Sequence, residues 1–289
     1  DSAILRVENL RVAFKINGRE SVPVRDVSFE IGRGARVALV GESGCGKSLT
    51  ALALGGLIDR ATISGAITGH PRIAYIFQNP MQSLNPTMRC GVQIAEGAVP
   101  CSSCLVPSFG MTPENDTRNE ARGTKHESRG AKHEERGTEL AKRVLHAVGL
   151  GEDAARKYPC EMSGGQQQRV MIAMALAQSP DLLIADEPTT ALDVTTQRDV
   201  LDLIRRLADE RNMAVLFITH NLGLVAEYSD YVNVMYAGSI VERGPVVDVL
   251  SSPRHPYTKG LLAAVPVLDA PKDAPLAGIP GTVPQPTDW

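Results

Sequence analysis

Residues 41–48 read Gly41-Glu42-Ser43-Gly44-Cys45-Gly46-Lys47-Ser48. Their spacing is G-x-x-x-x-G-K-[ST], which suits phosphate. Glycines let backbone N–H groups turn inward around an anion, and a helix N-terminus beyond the loop adds a favourable field. Lys47 is placed to reach β- and γ-phosphates, and the Ser48 hydroxyl to ligate Mg2+. Far along the chain, the apolar run Leu182-Leu183-Ile184-Ala185 ends in Asp186 and Glu187. A hard cation prefers the oxygens that Asp186 offers. Glu187, one residue later, suits a general base acting on water. Ser163-Gly164-Gly165-Gln166 precedes a stretch rich in Ala and Met and forms a second candidate anion cradle at a helix start. Gln78 and His220 each fall just past a strand-like run.

These residues need a scaffold that brings them to one edge. Strand-like runs lie at 4–7, 24–29, 36–40, 72–77, 182–185, 215–219 and 231–235. Helical stretches at 47–58, 166–178, 195–210 and 222–228 separate several of them. Buried strands alternating with helices predict an α/β core with a mainly parallel sheet. In such a sheet, ligands bind beyond the carboxyl ends of the strands, which is where Asp186, Gln78 and His220 fall. Asn17-Gly18 between apolar runs predicts a hairpin, and so an antiparallel N-terminal β subdomain.

From about Gly91 to Met162 the alternation stops, which predicts a separate helical subdomain; Leu140, Val144, Leu145 and Val148 share one helix face. Within it, residues 119–125, 126–132 and 133–139 repeat with a period of seven, but offer no apolar side chain beyond alanine. That excludes a coiled coil, and a glycine in each unit weakens helix. The expectation is a disordered, solvated insertion over about 112–139. Cys101 and Cys104 form a lone C-x-x-C beside it, read as two free thiols.

Over 289 residues the net charge is -3, aromatic residues make up 4% and hydrophobic residues 43%. The absence of a basic excess and of stacking platforms argues against nucleic acid as a partner. No apolar run approaches the ~20 residues of a membrane span. The five cysteines fit a reducing compartment, and Asp1–Arg6 carries no signal-peptide pattern.

The order of loop 41–48, Gln78, Ser163–Gln166, Asp186-Glu187, Ala191-Leu192-Asp193 and His220 resembles the ATP-binding cassette (ABC) ATPases across nearly the whole chain. The resemblance implies a P-loop NTPase (RecA-like) core and ATP hydrolysis with Mg2+ held by Ser48, Gln78 and Asp186. It implies that residues 41–48 with Leu49 hold ATP, that Ser163–Gln166 cap the ATP of an opposed second cassette, and that Asp193 couples the two sites. His220 would stabilise the γ-phosphate, joining Glu187 and Gln78 as catalytic residues. Phe14 matches the aromatic that stacks on adenine; a core aromatic on a strand fits it equally well.

Residues 77–86, 185–195 and 255–262 are similar to the dipeptide, oligopeptide and nickel importers, and Thr189-Thr190 to the first of their two paired ATPase subunits. This implies one ABC ATPase domain over 1–265, with core segments 1–90 and 163–250, helical subdomain 91–162 and a Pro-rich extension 266–289. Expected partners are a second ATPase subunit, two transmembrane permease subunits and, indirectly, an extracytoplasmic solute-binding protein. The expected location is the cytoplasmic face of the inner membrane. Peptide or a similar small solute is the first reading of the cargo; a nickel or metal-chelate importer and a non-transport ABC ATPase are the alternatives. Residues 79–88, with Met81, Leu84 and Met88 expected at the surface, are the candidate contact to a permease. Relatives' cysteine cluster after Ile279-Pro280-Gly281 has no counterpart up to Trp289, and the hairpin after Ser64-Gly65 is trimmed.

Overall fold

The computed structural model describes residues 3–16, 18–97, 127–190 and 192–265. Asn17, Ala191, Cys101, Cys104, residues 112–126 of the expected insertion and the extension 266–289 lie outside the described residues. By contact the chain divides into two units, one made of residues up to Asn79 and from Pro180 on, the other of Pro80–Ser179.

The first unit is built on a sheet that has nine strands among the described residues. In chain order they are β1 (Ala3–Ile16), β2 (Arg19–Gly32), β3 (Arg36–Val40), β4 (Ala61–Thr68), β5 (Ile73–Ile76), β6 (Leu182–Asp186), β7 (Ala214–Thr219), β8 (Tyr231–Tyr236) and β9 (Ser239–Pro245). Their spatial order is β4-β1-β2-β9-β8-β3-β7-β6-β5. β1 pairs antiparallel with β2 and β4, which forms the expected N-terminal β layer. β8-β3-β7-β6-β5 is the parallel core. β6 and β7 are buried at every position, as continuous apolar runs are when both faces are covered. Helices α1 (Lys47–Leu54), α6 (Val194–Arg211), α7 (Leu222–Tyr228), α8 (Val246–Ser251) and α9 (Pro256–Ala263) complete this unit.

Register is what aligns the site. Ala185 stands beside Ile76 on one side and Phe217 on the other. Val40 stands beside Thr219. Four neighbouring parallel strands therefore end at one edge, and the chain leaves them at Gly41, His220, Glu187 and Phe77-Gln78. At the opposite edge Asp181 accepts the N–H of Arg72 at 3.0 Å and its guanidinium at 3.1 Å, which sets the start of β5 against β6.

The second unit is helical: α2 (Pro80–Ser83), α3 (Cys90–Gly97), α4 (Glu127–Ala147) and α5 (Gly164–Ala177). α3, α4 and α5 pack on one another, and Val144, Leu145 and Val148 are buried as their spacing predicts. Two expectations are corrected. Residues 127–139, expected without structure, lie in α4; once the apolar stripe beyond Glu139 anchors a helix, extending it by Glu, Arg, Lys and Ala is inexpensive, and each glycine costs only about 1 kcal/mol. Leu84, expected at the surface, is buried at 2% exposure, whereas Met81 is 69% exposed. The α2 turn, closed by Leu84 N–H on Pro80 O at 2.9 Å, rolls Leu84 inward. Because α5 packs with α3 and α4, it clusters with this helical unit rather than with the α/β core.

Candidate nucleotide-binding site

β3 delivers the chain to Gly41, and α1 takes it up at Lys47 with Gly46 as N-cap. Two glycines are required here by space as well as by dihedral angle. Gly41 has φ 155, and a Cβ on it would lie 2.2 Å from the carbonyl oxygen of Met235. Gly46 has φ 103, and a Cβ would lie 2.5 Å from Pro23 O. The loop is thus threaded against β8 and β2 with no room for a side chain at these two positions. Gly238 N–H donates to Cys45 O at 3.1 Å and pins the loop from the β8–β9 turn.

Lys47 is buried at 6% exposure. Its ammonium donates to Gly41 O and Glu42 O, each at 2.8 Å, and lies 3.7 Å from Cys45 Sγ. Cys45 is itself buried; burial raises its thiol pKa, with Lys47 working against that rise. Ser43, Gly44 and Ser48 are exposed. Leu49 turns its side chain to the core of this unit.

Asp186 ends β6 with its side chain buried. Burial raises its carboxyl pKa, and hydrogen bonds from Ser48 and Tyr75 oppose this; the Tyr75 hydroxyl donates at 3.2 Å. A buried carboxylate beside a serine hydroxyl and within reach of the Lys47 charge is a fitting seat for a hard cation.

Glu187 follows with φ 44, in the left-handed region. Side chains seldom adopt it outside sites where surrounding structure enforces it. Here the N–H of Glu187 donates to Ile218 O at 2.9 Å. The carboxylate accepts three hydrogen bonds. Gln78 Nε2 donates to Oε2 at 2.9 Å, Thr190 Oγ1 to Oε2 at 2.8 Å, and the Nδ1–H of His220 to Oε1 at 2.8 Å. Burial pushes the Glu187 carboxyl up, but the bonds from His220 and Thr190 and the charges of His220 and Lys47 outweigh it, so its pKa is lowered. The result is an ionised carboxylate, held from three sides, with one imidazole nitrogen left over on His220.

Thr190 was not visible as a participant from the sequence. The signal that could have found it is a hydroxyl three residues after Glu187, at the reach of a turn. Asp193 caps α6, accepting Thr196 N–H at 3.0 Å and Thr196 Oγ1–H at 2.7 Å. Phe14 lies on β1 opposite Ser21 and Ala61, half-buried against the core of this unit. In the helical unit, Ser163 caps α5: its Oγ accepts Gln166 N–H at 3.3 Å, and Gln166 Oε1 accepts Ser163 N–H at 3.1 Å. Gly164 is exposed beside them. Among the described residues no group of three or more His, Cys, Asp and Glu could hold a metal ion, and no helix is long and apolar enough to cross a membrane.

The sheet order, the glycine loop and the strand-end carboxylates define a P-loop NTPase fold. The ABC transporter family matches over residues 24–190, and the oligopeptide/dipeptide transporter C-terminal region over residues 241–289. A provisionally named peptide import ATP-binding protein of Brucella abortus (strain 2308) is 42% identical over 307 residues, covering 98% of this chain and 83% of that protein. The glutathione import ATP-binding protein GsiA of Shigella boydii serotype 4 (strain Sb227) is 44% identical over 296 residues, with 93% of this chain covered. The chain spans only 43% of the length of that relative. The dimeric, ADP- and Pi-bound post-hydrolysis structure of the cassette MJ0796 has the same fold, with a TM-score of 0.63 at 24% identity over 84% of this chain and 98% of that one. The chain belongs to the ABC transporter family.

Proposed function

We propose that this chain is the ATP-binding and ATP-hydrolysing subunit of an importer that takes up peptides or a similar small solute through separate permease subunits. The observation that carries the reading is the Glu187 carboxylate, held ionised by His220 and Thr190 in the field of the P-loop lysine and gripped on a third side by Gln78.

The chemistry follows from the residues. The amides of residues 41–49 and the Lys47 ammonium bind the phosphates and offset their charge. Glu187 accepts a proton from water as its oxygen attacks the γ-phosphorus; ADP leaves and phosphate is formed. Gln78 and His220 hold the carboxylate in position, and the second ring nitrogen of His220 faces the negative charge that develops on the phosphoryl group. Mg2+, when bound to Ser48, Asp186 and Gln78, would neutralise phosphate charge. Phe14 is proposed to stack on adenine.

In the same proposal, Ser163, Gly164, Gly165 and Gln166 meet the ATP of a second ATPase subunit, and Asp193 links the two sites. The two permeases, an extracytoplasmic solute-binding protein and a place at the cytoplasmic face of the membrane belong to the same proposal. Met81, exposed at the start of the helical unit, is the candidate permease contact, with Met88 farther along the same 79–88 segment. Reconstituting the chain with its permeases tests this. Met81→Glu should abolish ATP-driven peptide uptake while the isolated subunit hydrolyses ATP within twofold of wild type. Undiminished uptake by that variant would refute the contact, and an absence of ATP-dependent uptake by the wild type would refute the importer.

A further inference from the structure

The P-loop is also gripped by the region that matches the oligopeptide/dipeptide transporter C-terminal family. α9 opens with His255-Pro256-Tyr257-Thr258, and its start is tied down from β9. The Glu242 carboxylate accepts the N–H groups of Arg254 at 2.7 Å and His255 at 3.0 Å. His255 Nδ1 in turn accepts Tyr257 N–H at 3.2 Å. The Tyr257 ring is buried at 6% exposure and packs on Tyr236 with centroids 4.5 Å apart. Thus held, its hydroxyl accepts the N–H of Glu42 at 2.9 Å.

That contact closes on one peptide unit from both ends. The unit joining Gly41 to Glu42 gives its N–H to Tyr257 and its carbonyl, Gly41 O, to the Lys47 ammonium. A peptide is planar, so fixing the direction of the N–H fixes where the carbonyl points. Gly41 has no side chain to restrain its own rotation. An N–H that must find a partner inside a partly buried loop is therefore set by Tyr257.

We propose that Tyr257 is a positioning residue for nucleotide binding, orienting the Gly41–Glu42 peptide so that the P-loop and Lys47 stand ready for phosphate. This rests on the reading of residues 41–48 as the ATP loop. It gives the C-terminal region a part in the site: α9, clipped to β9 by Glu242, presents the hydroxyl. Burial pushes that hydroxyl up to about 12, so it stays neutral over the working pH range.

The test is Tyr257→Phe, which keeps the ring and removes only the oxygen. If the loop is then correctly oriented only part of the time, apparent affinity falls by that fraction. The expected result is an ATP KM and a fluorescent ATP analogue's Kd raised about three- to tenfold, with kcat within twofold, since nothing around Glu187 changes. Tenfold is 1.4 kcal/mol, the size of one hydrogen bond. Tyr236→Phe, which takes a hydroxyl from the other ring of the pair, should leave KM unchanged. Lys47→Ala, measured alongside, should lose tight binding; if it does not, the loop assignment itself is wrong. If Lys47→Ala behaves as expected while Tyr257→Phe leaves KM and Kd unchanged, or lowers only kcat or the melting temperature, Tyr257 is merely structural and the proposal falls.

Discussion

Replacing His220 by alanine tests how Glu187 is held. The imidazole donates one of the three hydrogen bonds on the carboxylate, at 2.8 Å, and its side chain is 61% exposed while that of Glu187 is 15% exposed. A hydrogen bond to a charged group contributes about 1.5–3 kcal/mol. Exposure of one partner reduces this, so about 1–2 kcal/mol is appropriate. If that energy serves to orient the carboxylate for water, kcat should fall roughly 5- to 30-fold at neutral pH, since about 1.4 kcal/mol is tenfold in rate. Nucleotide binding, which the proposal places on residues 41–48, should change less than threefold. A second readout follows from the titration. The Glu187 pKa is lowered in the folded protein, against the upward push of burial, with His220 the leading cause of the lowering. Its ionised form therefore persists as pH falls until the lowered value is reached, and activity is lost below it. Without His220 the value rises, so the acid limb of the kcat profile must move to higher pH. Steady-state phosphate release followed from neutral pH down past the ordinary glutamate value of about 4.3 measures both. A kcat within twofold of wild type, or an acid limb that stays put or moves down, would show that His220 does not hold the carboxylate.

Two further outcomes can be checked with single variants. Gly41→Ala places a methyl 2.2 Å from Met235 O, so the loop must shift; ATP binding should weaken at least tenfold, read by nucleotide titration, and wild-type affinity would show that the close threading is not needed. Excising residues 112–126 removes a polar stretch punctuated by glycine, and loop length costs only about 0.6 kcal/mol per doubling; ATPase activity should be within twofold and the melting temperature within a few degrees. A large drop in melting temperature would contradict that.

The parts of the site that were legible in the sequence are those fixed by local rules. Arg36–Val40 as a strand followed by the glycine loop is one such rule, and Asp186 at the end of an all-apolar run is another. The edge arrangement followed because parallel neighbours end together: β3, β7, β6 and β5 deliver Gly41, His220, Glu187 and Gln78 to one side. What was not legible depends on contacts far apart in the chain or on weak patterns. β9 carries Glu242, Arg243, Gly244 and Pro245, which mask its strand character, yet it pairs with β8. β4 has only Ile63 and Ile67 on one face, with Gly65 between them, too weak a pattern to stand among the strand-like runs, but β1 supplies its partner. The start of α4 has polar repeats with glycines, so propensity alone favoured coil; the buried stripe farther along carries the helix. Tyr257 meets Glu42 across 215 positions of chain, and no spacing rule reaches that far.

In the proposed mechanism Glu187 is the base and residues 41–48 bind the nucleotide. Glu187→Gln removes the charge, keeps the shape and leaves Lys47 and the loop untouched. Measured by ATP turnover and by sedimentation of the nucleotide-loaded protein in the same preparation, it should retain wild-type ATP affinity, lose at least about a hundredfold in kcat, and accumulate as an ATP-bound dimer. Turnover at the wild-type rate would rule out Glu187 as the base.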